Sequence, residues 1–236
     1  MTQQRRTVIF LLALVPAFLC LVSTGETADA PGTIVGRAVF EGSVPPARQL
    51  EVDKDTDHCM IAAGEAQDVV VGAEGALSGV VVEIKGLDGE WQHPADGYVI
   101  RQKGCRFNPE FMVVPDGAEL TIYNEDPVLH NVNTGQFNIA QPGGESYVSK
   151  RKIAFQGRSF IHVTCNVHGW MEAWIYVARS PFFAVTGADG SFRIDNVPPG
   201  TYKVSARHPN LRSKRFDATV ESGQTVEEQV TFSARQ

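Results

Sequence analysis

Cys165-Asn166-Val167-His168-Gly169-Trp170-Met171 puts a thiol, an imidazole and a thioether within seven residues. Gly169 makes a tight loop easy, so all three side chains can turn toward one point. Thirty-five residues before the cysteine stands His130, followed by Asn131 and preceded by the strand breaker Asn124-Glu125-Asp126-Pro127. Two imidazoles, a thiolate and a thioether are a donor set that favours copper; a trigonal His2Cys site with a weak axial Met is an arrangement for one-electron transfer. Zinc asks for four strong donors, mostly in paired Cys or His spacings, and no such pairs occur. No open position with a general base is evident, which argues against metal-assisted hydrolysis. Taken singly, a buried Cys is a small hydrophobe and a lone His or Met is packing; the joint pattern is what points to a metal.

Such a loop needs rigid strands beneath it, and the sequence supplies them. Ser159 to Cys165 alternates apolar and polar residues, with His162 facing away from Cys165 as a surface residue. Glu119 to Asn124 alternates in the same way, and Phe111-Met112-Val113-Val114 runs into a turn at Pro115-Asp116-Gly117. Glu172 to Ala178 closes this block. His130 and the cysteine loop then stand at strand ends, which can meet at one pole of a sandwich. Further strands are expected at Thr33–Phe40, Val69–Val71, Val80–Ile84, Ser191–Ile194, Thr201–Ala206, Thr219–Val220 and Val230–Phe232. In the turn Val197-Pro198-Pro199-Gly200, Gly200 suits a left-handed position. Residues 53–67 are polar and aperiodic, with room for one helical turn. Gly and Pro are plentiful, at 22 and 13, and no stretch keeps a 3.6-residue period over four turns. The fold class expected is all-β.

The first thirty residues read differently. Arg5 and Arg6 precede the apolar run Val8–Val22, and small or polar residues follow to Ala30. This is the pattern of a secretory signal peptide, with candidate cuts after Gly25, Ala28 or Ala30. The apolar run falls short of the roughly 20 residues that a spanning helix needs, so no membrane span is expected in the mature chain. Export implies an oxidising, periplasmic or otherwise extracytoplasmic compartment. Three cysteines remain there, Cys59, Cys105 and Cys165, an odd count that implies one disulfide and one thiol with another task. The net charge is −6; residues 1–30 carry two charges of each sign, so it survives cleavage. No basic stripe is present, which excludes nucleic acid as an expected partner.

Phe107-Asn108-Pro109 through Val113-Val114-Pro115-Asp116-Gly117, Tyr123-Asn124-Glu125-Asp126, His130-Asn131 and the cysteine loop together resemble the cupredoxins, the plastocyanin and azurin family, over residues 96–180. The resemblance implies a Greek-key β-sandwich. It implies one copper ion held by His130, Cys165 and His168, with Met171 as axial ligand and Asn131 tying the ligand loops together. Plastocyanin-like members place more residues between the second histidine and the methionine. The two-residue spacing here looks more like the binuclear copper site of cytochrome oxidase subunit II, but the loop lacks that site's second cysteine, so one ion is expected. With Cys165 on the metal, Cys59 and Cys105 are the expected disulfide; a second metal site built on His58, Cys59 and Met60 is the rival.

Thr186-Gly187-Ala188-Asp189-Gly190-Ser191-Phe192 through Thr201-Tyr202 resembles the carboxypeptidase regulatory-like, transthyretin-like sandwich. The expected organisation is a signal peptide at 1–30, an N-terminal β segment at 31–95, a cupredoxin domain at 96–180 and a second small β-sandwich at 181–236. Segments 31–90 and 181–236 pair in one reading, with the copper domain inserted; in the other the modules stand in series. In this combination the chain resembles exported proteins of mixed cupredoxin type that are labelled as methylamine-utilisation proteins, a resemblance that implies redox work. The expected function is one-electron transfer to a redox protein such as a c-type cytochrome or an oxidoreductase, through an exposed ligand edge. Copper binding and delivery without a carrier role is the alternative. No catalytic residues are expected, since no second His-rich cluster marks a multicopper oxidase or nitrite reductase. Trp170 is read either as core packing or as part of an exposed docking patch around His168.

Overall fold

The computed structural model describes residues 29–144 and 147–234. The expected signal peptide falls on residues that, apart from Asp29 and Ala30, lie outside the described ones. In chain order, β1 (Gly32–Glu41) comes first. A strap follows, made of β2 (Arg48–Leu50), the one-turn helix α1 (Thr56–Cys59) and β3 (Gly64–Ala66); β4 (Val81–Ile84) comes next. The middle of the chain forms β5 (Tyr98–Gln102), β6 (Phe107–Asn108), β7 (Phe111–Pro115), β8 (Glu119–Asn124), β9 (His130–Asn133), β10 (Asn138–Gln141), β11 (Tyr147–Lys152), β12 (Phe160–Thr164) and β13 (Glu172–Ala178). The chain ends with β14 (Phe183–Val185), β15 (Ser191–Val197), β16 (Gly200–Arg207), β17 (Lys214–Val220) and β18 (Thr225–Ser233). The protein is all-β, as its alternating pattern requires. Among the described residues no helix is long and apolar enough to cross a membrane.

The middle strands make two sheets, in the orders β10-β9-β12-β13-β7 and β11-β8-β5-β6. Inward residues of both, among them Ile100, Phe107, Leu120, Ile122, Val163 and Ile175, share one buried core. In β8 the alternation buries Leu120, Ile122 and Asn124 in turn. β12 buries Ile161 and Val163 and turns His162 outward, where it stacks on Trp174 with ring centroids 4.4 Å apart.

The remaining strands form the sheets β15-β1-β18 and β14-β4-β16-β17 around a second core that includes Ile34, Phe40, Ile84, Phe192 and Phe232. β1 runs antiparallel to β15 and parallel to β18, and β4 lies antiparallel to both β14 and β16. Both sheets therefore draw strands from either side of the middle block. At Gly36 the sheet closes so tightly that a Cβ would stand 1.9 Å from the Glu228 carbonyl oxygen and 2.7 Å from the Phe192 ring.

Two local expectations are corrected. Val69–Val71 is not a strand: only a single bridge joins Val71 to Leu77, and Val70 is exposed. Gly200 is not left-handed; the left-handed residue nearby is Asn196, with φ 57°, near the end of β15. Glycine suits position 200 for another reason. The Tyr202 hydroxyl donates to the Pro198 carbonyl at 2.7 Å, and a Cβ on residue 200 would lie 2.9 Å from that hydroxyl.

Candidate metal centre

β12 and β13 are joined by a closed loop. Thr164 and Glu172 form the last ladder pair, the Cys165 N–H donates to the Met171 carbonyl at 3.2 Å, and the Met171 N–H donates to the His168 carbonyl at 3.0 Å. The loop therefore turns back on itself with Cys165 and His168 facing inward and Met171 buried at its end. His130 begins β9, which touches β12 through Asn133 and Thr164. The turn before it is shaped by Asn124, whose side-chain amide donates to the carbonyls of Val128 and Gln141 at 2.9 Å while its oxygen accepts the Asp126 N–H at 3.0 Å.

These elements bring His130, Cys165 and His168 together, with one donor atom from each within 4.8 Å of the others. The two Nδ1 atoms face each other at 2.9 Å, and His168 Nδ1 stands 4.0 Å from the Cys165 sulfur. All three side chains are buried. The Cys165 sulfur accepts the N–H groups of Asn131 and His168, each at 3.4 Å. Asn131 also accepts the Asn166 N–H on its side-chain oxygen and donates to Asn138 at 2.5 Å, so it ties the two ligand segments.

The outer ring nitrogens are held by carboxylates. His130 Nε2 lies 2.8 Å from Asp126 Oδ2, and His168 Nε2 lies 2.8 Å from Asp55 Oδ2. Asp126 also accepts the N–H groups of Gly104 and Cys105, at 2.7 and 2.8 Å, and lies 3.1 Å from His58 Nε2. Burial works to raise its carboxyl, but these bonds outweigh it and hold Asp126 far below the usual carboxylate range. Burial works to lower His130, yet Asp126 and Cys165 outweigh it and raise this imidazole. For His168 burial prevails over Asp55 and the pKa falls. Burial raises the Cys165 thiol; His130 and the surrounding backbone N–H groups overcome this and lower it, favouring thiolate.

Two imidazole nitrogens and a sulfur converging on one buried point supply more lone pairs than a single proton satisfies. A soft or borderline cation satisfies them all. The carboxylate behind each imidazole is the usual device that fixes a ligating histidine's tautomer and orientation. The residues present thus fit a copper ion.

The structure gives the remaining site expectations mixed outcomes. The Cys59–Cys105 disulfide is present. The rival metal site at His58, Cys59 and Met60 does not form, because Cys59 is spent in that disulfide and Met60 is exposed. The expected exposed ligand edge is absent at His168, whose side chain is 0% exposed. Trp170 is buried too, its ring N–H donating to the Cys105 carbonyl at 3.1 Å, so it is no docking patch. The strap's Asp55 and Cys59 lie against His168. Sequence reasoning missed Asp126 and Asp55. The first stands four residues before His130, a spacing that was open to reading. The second lies 113 residues from His168, with no local signal.

A family model described as the carboxypeptidase regulatory-like domain matches residues 173–233. No curated protein matches the chain. Among solved structures, a Cu(I) methionine-to-alanine mutant of amicyanin is 14% identical, with 41% of this chain and 97% of that chain covered and a TM-score of 0.29. An oxidized proline-to-glycine mutant of amicyanin is 18% identical at the same coverages and TM-score. A copper-containing nitrite reductase from Thermus scotoductus SA-01 is 18% identical, with 41% of this chain and 25% of that chain covered and a TM-score of 0.27.

Proposed function

We propose that this chain is an extracytoplasmic cupredoxin-type protein that holds one copper ion and passes single electrons. His130, Cys165 and His168 are its strong ligands and Met171 its weak fourth donor. The observation that carries this reading is the convergence of two imidazole Nδ1 atoms on the Cys165 sulfur in a buried pocket. A bound copper ion supplies the Cu(I)/Cu(II) couple; the chain's part is to fix the donors, keep Cys165 as thiolate and exclude water. A buried donor set tied behind by two carboxylates suits retention of the ion, which favours a carrier over a delivery protein. The signal-peptide pattern and the disulfide support an oxidising compartment. A redox protein is the partner this function requires.

The test is to titrate the purified mature protein with Cu(II) and record visible and electron paramagnetic resonance spectra. One copper per chain with an intense thiolate-to-copper absorption is expected. Absence of stoichiometric uptake refutes the reading, and tight Cu(I) binding without that absorption favours delivery.

A further inference from the structure

His168 turns its Nε2 toward the outside of the middle sandwich, and the strap closes that edge. Asp55 stands at the N-cap position of α1, yet its side chain makes no capping hydrogen bond. Its backbone is left-handed, with φ 45°, a conformation uncommon for a residue with a side chain. What this conformation delivers is the carboxylate, 2.8 Å from His168 Nε2. Four residues on, the Cys59 sulfur lies 4.0 Å from the same nitrogen. The strap also reaches the other imidazole, because His58 bonds the Asp126 that holds His130.

Little within the strap holds it in place. A one-turn helix does not sustain itself, and the β2–β3 ladder is three residue pairs long. Its ties to the sandwich include the disulfide from Cys59 to Cys105, the Arg106 bond to the Ala62 carbonyl at 2.8 Å, the Arg48–Glu172 ion pair, the Asp55–His168 and His58–Asp126 contacts, and the packing of Leu50 and Ala62 in the middle core. The disulfide alone is covalent. It fastens α1 directly beside Gly104 and Cys105, whose N–H groups anchor Asp126.

We propose that residues 48–66 form a disulfide-locked cover that shuts the His168 edge of the site and sets how fast reagents and metal reach it. The metal half of this statement rests on the copper reading above; the shielding of His168 does not.

The closing experiment keeps the two apart. Metal-free mature protein, its Asp55→Ala variant and its Cys59→Ser/Cys105→Ser variant are treated with diethyl pyrocarbonate, and acylation of each histidine is followed by peptide mass spectrometry. Exposed His162 is the internal reference. In the wild type His168 should react far more slowly than His162. Acylation of His168 should quicken by about tenfold or more in the double-serine variant, and severalfold in Asp55→Ala, as local opening replaces a locked contact. The His162 rate should not change. Equal slow rates at His168 in all three proteins, or a wild-type His168 as reactive as His162, overturn the cover. Should the double-serine variant fail to fold, seen as buried His208 reacting at the His162 rate, Asp55→Ala decides alone. In a parallel arm, Cu(I) transfer to bicinchoninate should quicken in the same order. Copper held but released at one rate by all folded variants overturns the control of exchange. Failure of the wild type to bind copper, with the labelling pattern intact, overturns the copper reading and leaves the cover standing.

Discussion

Cys165 is poised as a thiolate by its neighbours. Backbone N–H groups and His130 stabilise its charge in a buried pocket. Replacing it by serine should remove the thiolate-to-copper absorption and reduce copper per chain from one to near zero after gel filtration, as read by visible and elemental analysis. Asp126 acts one step further out, through His130. Asp126→Asn should weaken copper by about 10–100-fold, measured by chelator competition, because the ligand loses the partner that orients it. Met171 is buried at the loop's end, and Met171→Leu keeps its volume. The fold should lose less than about 1.5 kcal/mol in urea denaturation, while the copper spectrum and potential move. The candidate donors at this scale were legible because Cys, His and Met announce themselves by type. Asp55 did not: a carboxylate in a polar segment looks like every other solvated carboxylate until the chain folds it against His168.

The strands were read from alternation, and β8 and β12 follow it because one face meets the core and the other meets water, whereas β13 is buried on both faces from Ile175 to Ala178. The strap was visible only as a polar stretch with one helical turn, since it has too few apolar residues to show a period. Its role comes from the disulfide, which closes a separation of 46 residues. Opening it in the double-serine variant frees the unfolded chain and should cost about 4 kcal/mol in denaturant unfolding. Val69–Val71 shows the opposite limit. Its β-branched run promised a strand, yet no neighbouring strand offers it a ladder beyond the bridge at Val71.

At the scale of the whole molecule the two sandwiches meet at a buried seam of Val81, Tyr176 and Ala178. Glu83 of β4 is buried there. Its carboxylate accepts the Tyr176 hydroxyl at 2.6 Å and the N–H groups of Arg179 and Ser180 at 2.6 and 3.1 Å, and pairs with Lys85 at 2.8 Å. Burial pushes its carboxyl up, but these bonds prevail and hold it low. Glu83→Ala should cost about 3 kcal/mol by leaving buried donors unpaired, and limited proteolysis should then cut between β13 and β14. His208 supplies a pH dependence away from the candidate metal site. Burial lowers its pKa to about 4, and its Nδ1 accepts the Asn210 N–H at 3.2 Å. As pH falls from about 6.5 to 4, the unfolded chain takes up this proton first, so the folded state loses up to about 3 kcal/mol. Urea midpoints should show that loss in the wild type and a shallower slope in His208→Gln.

The sequence by itself determined the all-β character, the strand ends that carry the candidate ligands, and the donor types, since period and side-chain chemistry are local properties. Only the tertiary structure decided that β1 and β4 share sheets with the C-terminal strands, that Glu83 clamps the seam, and that Asp55 shuts the edge of His168. Each of these joins residues far apart in the chain, and such pairings are selected by packing and burial, which no local window of sequence contains.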